Sequence, residues 1–188
     1  VCDGMGGLAN GELASATVIR EFDKWFRKDL PAMLEMPVFP VEELRLQWDN
    51  LVLEQNKKLA DYASSTGTRM GTTVVAFLIV GENYYIMNIG DSRAYMITDA
   101  IYQLTKDQTY VQFEMDAGRM TWEEAQVHPQ RNVLLQCIGA SEQINPDYFI
   151  GQANPDTTFL LCSDGFRHLS SPDEIYEKLK PEILDNED

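Results

Sequence analysis

Cysteine is scarce in this 188-residue chain: Cys2, Cys137 and Cys162 are an odd set with no paired spacing. That excludes a disulfide scaffold and leads us to expect a reduced, cytoplasmic protein with cysteines in core strands. A reactive thiol is the lesser alternative, since none has a basic or histidine neighbour to lower its pKa. A chain this long buries roughly 70% of its unfolded surface and needs neither disulfide nor structural metal to hold a core. Positive charge is scarce as well: 15 Lys+Arg stand against 30 Asp+Glu, a net charge of -15, with no basic cluster. Nucleic acid is therefore not an expected partner, and neither is an anionic membrane surface. The longest purely apolar run, Val74–Val80, suits a buried strand and is far too short to span a membrane. The opening residues do not read as a signal peptide, and none is expected within this stretch. Its first residue is Val, one position before Cys2-Asp3-Gly4, which leads us to expect a piece of a longer protein. Hydrophobic content of 44% and charged content of 24% are ordinary for a globular fold.

The pattern predicts helices first. From Gly11 to about Leu30, Ala14, Val18, Phe22 and Trp25 recur at helical spacing, and Pro31 is expected to end the run. Residues 31–40 hold three prolines and read as a loop. Val41 to Ala63 reads as a second helix, with Leu44, Trp48, Leu51, Val52, Gln55 and Leu59 on one stripe. Strands are then predicted at Thr72 to Val80, Tyr84 to Ile89, Arg93 to Ile97 and Ile101 to Leu104. Their short connections predict one antiparallel meander. Thr121 to Glu124 is a capping box that starts a helix at Trp122. Further strands are expected at Val133 to Ile138, Tyr148 to Ile150 and Thr158 to Cys162. Ser171 to Glu174, with Pro172 at the first helical position, opens a last helix. The sum is an α+β fold with helices on antiparallel sheet.

Three acidic turns each follow an apolar strand or strand stub: Asp3-Gly4-Met5-Gly6-Gly7, Gly90-Asp91-Ser92-Arg93 and Ser163-Asp164-Gly165. An Asp at a strand end puts a carboxylate on the rim of a sheet, and a neighbouring Gly lets the backbone bend sharply. Several such rims converging would make an oxygen-rich pocket of the kind hard cations prefer. Taken singly, each turn is ordinary hairpin chemistry; their order and flanks together carry the weight.

Those flanks resemble the metal-dependent protein serine/threonine phosphatases, the PPM or type 2C family. The matching stretches are Asp3 to Gly7 leading into a helix through Gly11, then Gly71-Thr72-Thr73, and Asn88 to Tyr95. Leu104-Thr105-Lys106-Asp107-Gln108, Gly118 to Ala125 and His128-Pro129 with Asn132 follow, then Gly139 and Leu160 to Phe166. The Met of the first turn is the form common in bacterial members. The resemblance implies an antiparallel β-sandwich flanked by helix pairs, with two Mn²⁺ or Mg²⁺ ions at one end and a third, weaker one. By that resemblance Asp3 bridges both metals, Gly4 offers its carbonyl to one, Asp164 ligates the other, and Asp91 holds the third together with Asp164. Asp3 and Asp164 are the residues expected to carry catalysis, by a metal-activated water that attacks phosphorus in line. Gly118 to Pro129 corresponds to the flap beside the site. Gly71-Thr72-Thr73, Arg93 and Gly139 are expected to serve the fold, and His128 and His168 to be structural. Phosphoproteins are the implied substrates, and a serine/threonine kinase the implied partner.

The chain also departs from the family. Members carry a phosphate-binding Arg and an acidic metal residue on a strand before the first turn, and an Asp-Asn pair before a final strand. Residues 1–188 are therefore expected to be one partial catalytic domain with its terminal strands missing, impaired in metal binding and turnover. Asp185-Asn186 is read as the acidic end of a helix or loop, not as the later ligand. Met5 stands where many eukaryotic members place a His, and a thioether cannot donate a proton. Two other readings are a PPM-like binding module without catalysis and a carboxylate-based phosphohydrolase on another fold. The second would want an Asp-x-Asp that Asp3-Gly4-Met5 lacks.

Overall fold

The structure, a computed structural model, describes residues 1–167 and 169–184, and the side chains of all of these except 8, 9 and 167. The chain divides into two compact units. One holds Cys2–Val74 and Gln136–Pro146; the other holds Val1, Val75–Leu135 and Asp147–Asp188.

The first unit is helical. β1 (Gly4–Met5) leads into α1 (Leu8–Lys28), α2 (Leu30–Leu34) and α3 (Val41–Thr66), and β2 (Gly71–Thr72) returns to pair with β1. The expected stripe on α1 is buried at Ala14, Val18 and Trp25, whereas Ile19 and Phe26 are exposed. On α3, Leu44, Trp48, Val52, Gln55 and Leu59 are all buried. The two stripes meet through Trp48, whose ring takes edge-on contacts from Phe22 and Trp25 at 6.2 and 5.6 Å between centroids. Pro31 does not end helicity for long. It falls in the first turn of α2, where a missing N–H leaves no intrahelical bond unmade. α3 also continues beyond its predicted end at Ala63 to Thr66, where Gly67 closes it with φ 64°.

Val133 to Ile138 is not a strand. Its pairing is confined to two isolated bridges, Thr109 with Leu134 and Thr72 with Ile138. Side-chain bonds hold the following segment instead. Buried Asn56 of α3 accepts from the Gly139 N–H at 2.7 Å and donates to the Ser141 carbonyl at 2.9 Å.

The second unit is a sandwich. β3 (Val74–Val80), β4 (Asn83–Ile89), β5 (Arg93–Ile97) and β6 (Ile101–Gln103) are followed by α4 (Tyr110–Asp116) and α5 (Trp122–Val127). Then come β7 (Asp147–Gln152), β8 (Thr158–Cys162), α6 (Asp164–Arg167), α7 (Pro172–Leu179) and α8 (Pro181–Leu184). The sheets are ordered β3-β4-β7 and β6-β5-β8. The expected four-stranded meander is therefore broken between β4 and β5. Gly90 takes φ 98°, a conformation closed to most side chains, and the chain passes there from one sheet to the other. Val75, Tyr84 and Ile86 of the first sheet pack with Ala94, Met96, Phe159 and Leu161 of the second. The ring of Phe159 lies 4.8 Å from Phe77 and 5.3 Å from Tyr84. Both predicted capping boxes form, at Thr121 and at Ser171.

Arg93 serves this fold, as the sequence suggests. Its Nε and one Nη donate to Asp107 at 2.7 Å each, and the other Nη donates to the Tyr95 hydroxyl at 2.9 Å. Burial disfavours its charge, but the hydrogen bonds and charge of Asp107, with help from Tyr95, hold the guanidinium above its ordinary pKa. The Arg93 side chain is 25% exposed and that of Asp107 is 9% exposed. Asp107→Ala leaves that cation without its fork partner, and the expected cost is about 3 kcal/mol, near the low end for a buried pair. Urea unfolding at neutral pH measures it.

Candidate active site

The sequence carrying Asp3 runs antiparallel to the segment around β2. Gly4 pairs with Thr72 and Met5 with Gly71. The Asp3 backbone is gripped at both its polar groups. Its N–H donates to the Thr73 hydroxyl at 3.0 Å, and its carbonyl accepts from the Thr73 N–H at 2.9 Å and the Thr72 hydroxyl at 3.0 Å. Thr72 and Thr73 are both buried, so the role of Gly71-Thr72-Thr73 is to fix the acidic turn. Gly4 and Gly11 then touch backbone to backbone. A Cβ on Gly4 would collide with the Gly11 carbonyl, and one on Gly11 would meet the Gly4 carbonyl oxygen at 2.6 Å. The Gly at the turn and the Gly one helical turn into α1 are therefore a single requirement: the start of the helix must lie against the strand.

Asp91 and Asp164 belong to the other unit, and strand register relates them. β5 and β8 pair antiparallel with Arg93 opposite Cys162 at one end. Two residues beyond that end on each chain stand Asp91 and Asp164, both half-buried. One end of the β5–β8 ladder thus carries two carboxylates separated by many residues in sequence. Asp3 is also half-buried, in the unit of α1 and β1. Among the described residues, no group of three or more His, Cys, Asp or Glu gathers to hold a metal ion. The donor chemistry itself suits one: carboxylates at Asp3, Asp91 and Asp164 and the Gly4 carbonyl are all oxygen donors, the kind Mn²⁺ and Mg²⁺ take.

His128 accepts from the Gln130 N–H on Nδ1 at 3.1 Å, and its ring lies 5.6 Å from that of Tyr110. His168 and Asp185-Asn186 lie outside the described residues. None of the three cysteines forms a disulfide. Burial pushes the Cys2 thiol up to about 11, the nearby amino terminus opposing it, and burial also raises that of Cys137. Such thiols are poor nucleophiles. A cavity of about 520 Å³ in the sandwich unit is lined by Arg93, Asp107, Trp122, Arg131 and Ile175. Neither Asp91 nor Asp164 lines it. What the sequence did not assign is a role for Gln108, which is buried at the end of a quoted motif; its only advance signal is a polar residue between two strand-like segments.

The family model described as Protein phosphatase 2C matches residues 1–184. The serine/threonine phosphatase stp of Listeria innocua is 35% identical over 184 residues, covering 96% of this chain and 70% of that protein. The structure of the S. agalactiae serine/threonine phosphatase superposes with a TM-score of 0.85 at 28% identity, covering 100% of this chain and 73% of that one. The catalytic domain of the serine threonine protein phosphatase PstP, in complex with 2 manganese ions, superposes at 0.75 with 32% identity, covering 94% and 70%. The chain belongs to the protein phosphatase 2C family, the metal-dependent protein serine/threonine phosphatases.

Proposed function

We propose that residues 1–188 belong to one catalytic domain, which hydrolyses phosphoserine and phosphothreonine in proteins at a centre of two Mn²⁺ or Mg²⁺ ions with a third, weaker one. Asp3, the Gly4 carbonyl and Asp164 hold the pair, and Asp91 and Asp164 hold the third. The observation that supports this most is the β5–β8 register, which sets Asp91 and Asp164 at one ladder end. When bound, the cations acidify water and offset charge on the phosphoryl oxygens. The chain's own contribution is placement. Thr72 and Thr73 hold the backbone of Asp3 from both sides. The Gly4–Gly11 contact fixes where the Gly4 carbonyl lies. No side-chain nucleophile is required, in keeping with the raised Cys2 and Cys137 thiols.

The substrates are phosphoproteins and the opposing partner is a serine/threonine kinase in the cytoplasm. Among the described residues no helix is long and apolar enough to cross a membrane. The test is phosphate release from a phosphothreonine peptide. Turnover should require Mn²⁺ or Mg²⁺, stop with EDTA and return when Mn²⁺ is added in excess. Turnover that persists in EDTA would overturn the reading.

A further inference from the structure

The Gly90–Asp91 turn is held by one side chain from a distant stretch. Gln108, 9% exposed, accepts from the Gly90 N–H on Oε1 at 2.7 Å. Its Nε2 donates to Asp147 Oδ2 at 2.8 Å and to the Asn88 carbonyl at 3.4 Å. Its backbone joins in, the N–H donating to the Gly90 carbonyl at 3.0 Å and the carbonyl accepting from the Leu135 N–H at 2.8 Å. Fully buried Asn88 adds bonds from Nδ2 to the Lys106 carbonyl at 3.0 Å and the Gly90 carbonyl at 3.4 Å. Asn88 and Asp147 face each other at the end of the β4–β7 ladder. Both polar groups of Gly90 are therefore bound to Gln108, which is anchored in turn to the two strand ends. A glycine at φ 98° has many conformations open to it, and the direction in which the next residue leaves the turn is set by what holds its amide and carbonyl.

We infer that Gln108 is the positioning residue for Asp91, fixing the exit of that carboxylate from the end of β4 and so the affinity of the cation it holds. The inference rests on the reading of Asp91 as a ligand. Its chemistry is that of a hydrogen-bonding partner one step removed from the metal, whose loss costs about 10–100-fold in metal affinity.

The test compares the unmodified protein with Asp91→Asn, Gln108→Met and the double variant. Mn²⁺ alone is titrated, and the unbound ion is followed by its electron paramagnetic resonance signal. Hydrogen exchange at Gly90 and thermal unfolding are measured in parallel. Gln108→Met keeps the shape and removes the bonds. It should speed Gly90 exchange and weaken the weakest Mn²⁺ class about 10–100-fold. In the Asp91→Asn background it should weaken Mn²⁺ binding no further, because both changes act through one group. If Gln108→Met does not fold, Gln108→Glu serves. It sets a carboxylate oxygen against Asp147 and the Asn88 carbonyl, so the side chain loses its anchorage to both strand ends and can no longer hold the Gly90 amide in place, and a loss in the same direction is expected. Unaltered Mn²⁺ binding in the Gln108 variant, beside a clear loss in Asp91→Asn, overturns the positioning role alone. Unaltered binding in Asp91→Asn overturns the ligand reading beneath it. A loss that adds in full in the double variant marks Gln108 as a general stabiliser and also overturns the inference.

Discussion

Asp164→Asn is expected to lower kcat/KM for a phosphothreonine peptide by at least about 100-fold at saturating Mn²⁺, because the cation that Asp164 is proposed to hold would supply several kcal/mol of transition-state stabilisation and each 1.4 kcal/mol is tenfold in rate. The side chain keeps its size and loses its charge, and an amide is a much weaker donor to a hard cation than a carboxylate. Asp164 is the first residue of α6, just beyond the end of β8, and is half-buried. The strand before it is fixed independently, by five register pairs with β5 from Arg93–Cys162 to Ile97–Thr158. Thermal unfolding should therefore move little while turnover collapses. Asp91→Asn is the informative companion. It shares the ladder end but is assigned only the weaker cation, so its defect should shrink as Mn²⁺ is raised, whereas that of Asp164→Asn should not. Activity retained in Asp164→Asn with intact folding would show that the centre lies elsewhere.

How much of this was legible in the residues depends on the physics behind each signal. The helical stripes of α1 and α3 are local periodicities, and the structure buries them as read, from Ala14 and Val18 to Trp48 and Val52. Capping boxes are local too, and both formed. Strand partnership is not local. A short run of aromatic and apolar residues says that Tyr84 to Ile89 and Arg93 to Ile97 are strands and says nothing about whether they share a sheet. Here the turn at Gly90 separates them, β4 pairing with β7 and β5 with β8. The stretch from Val133 failed for a related reason. Val133 and Leu135 are exposed at 45% and 53%, so its apolar residues reflect no buried ladder. The acidic turns were legible because Asp beside Gly at a strand end is a compact pattern. The residues that hold those turns were not. Thr72, Thr73 and Gln108 act by hydrogen bonds to backbone groups 18 to 70 positions away, and no short-range pattern encodes that distance.

The first turn offers the other large effect. Gly4→Ala and Gly11→Ala should each destabilise the protein by about 3 kcal/mol, the upper end for an added methyl group in a tight contact. For a chain of this length that is a fall of about 6–12 °C in Tm. Neither glycine has a positive φ, so no conformational strain is involved; the cost is steric. A Cβ on Gly4 runs into the Gly11 backbone, and a Cβ on Gly11 meets the Gly4 oxygen at 2.6 Å and its carbonyl carbon at 2.7 Å. Backbone atoms on both sides cannot rotate away as a flexible side chain can, so the strand and the helix must separate. Once the first methyl has forced that separation, the second finds space already opened. The double variant should therefore lose clearly less than the sum of the single losses, a coupling that a thermodynamic cycle from urea unfolding measures. Separation also carries Asp3 and the Gly4 carbonyl off their positions, so Mn²⁺ affinity should fall in both single variants under conditions where they remain folded. Strict additivity of the two losses would mean that the chain absorbs each methyl independently, and that the Gly4–Gly11 contact does not set the position of the acidic turn.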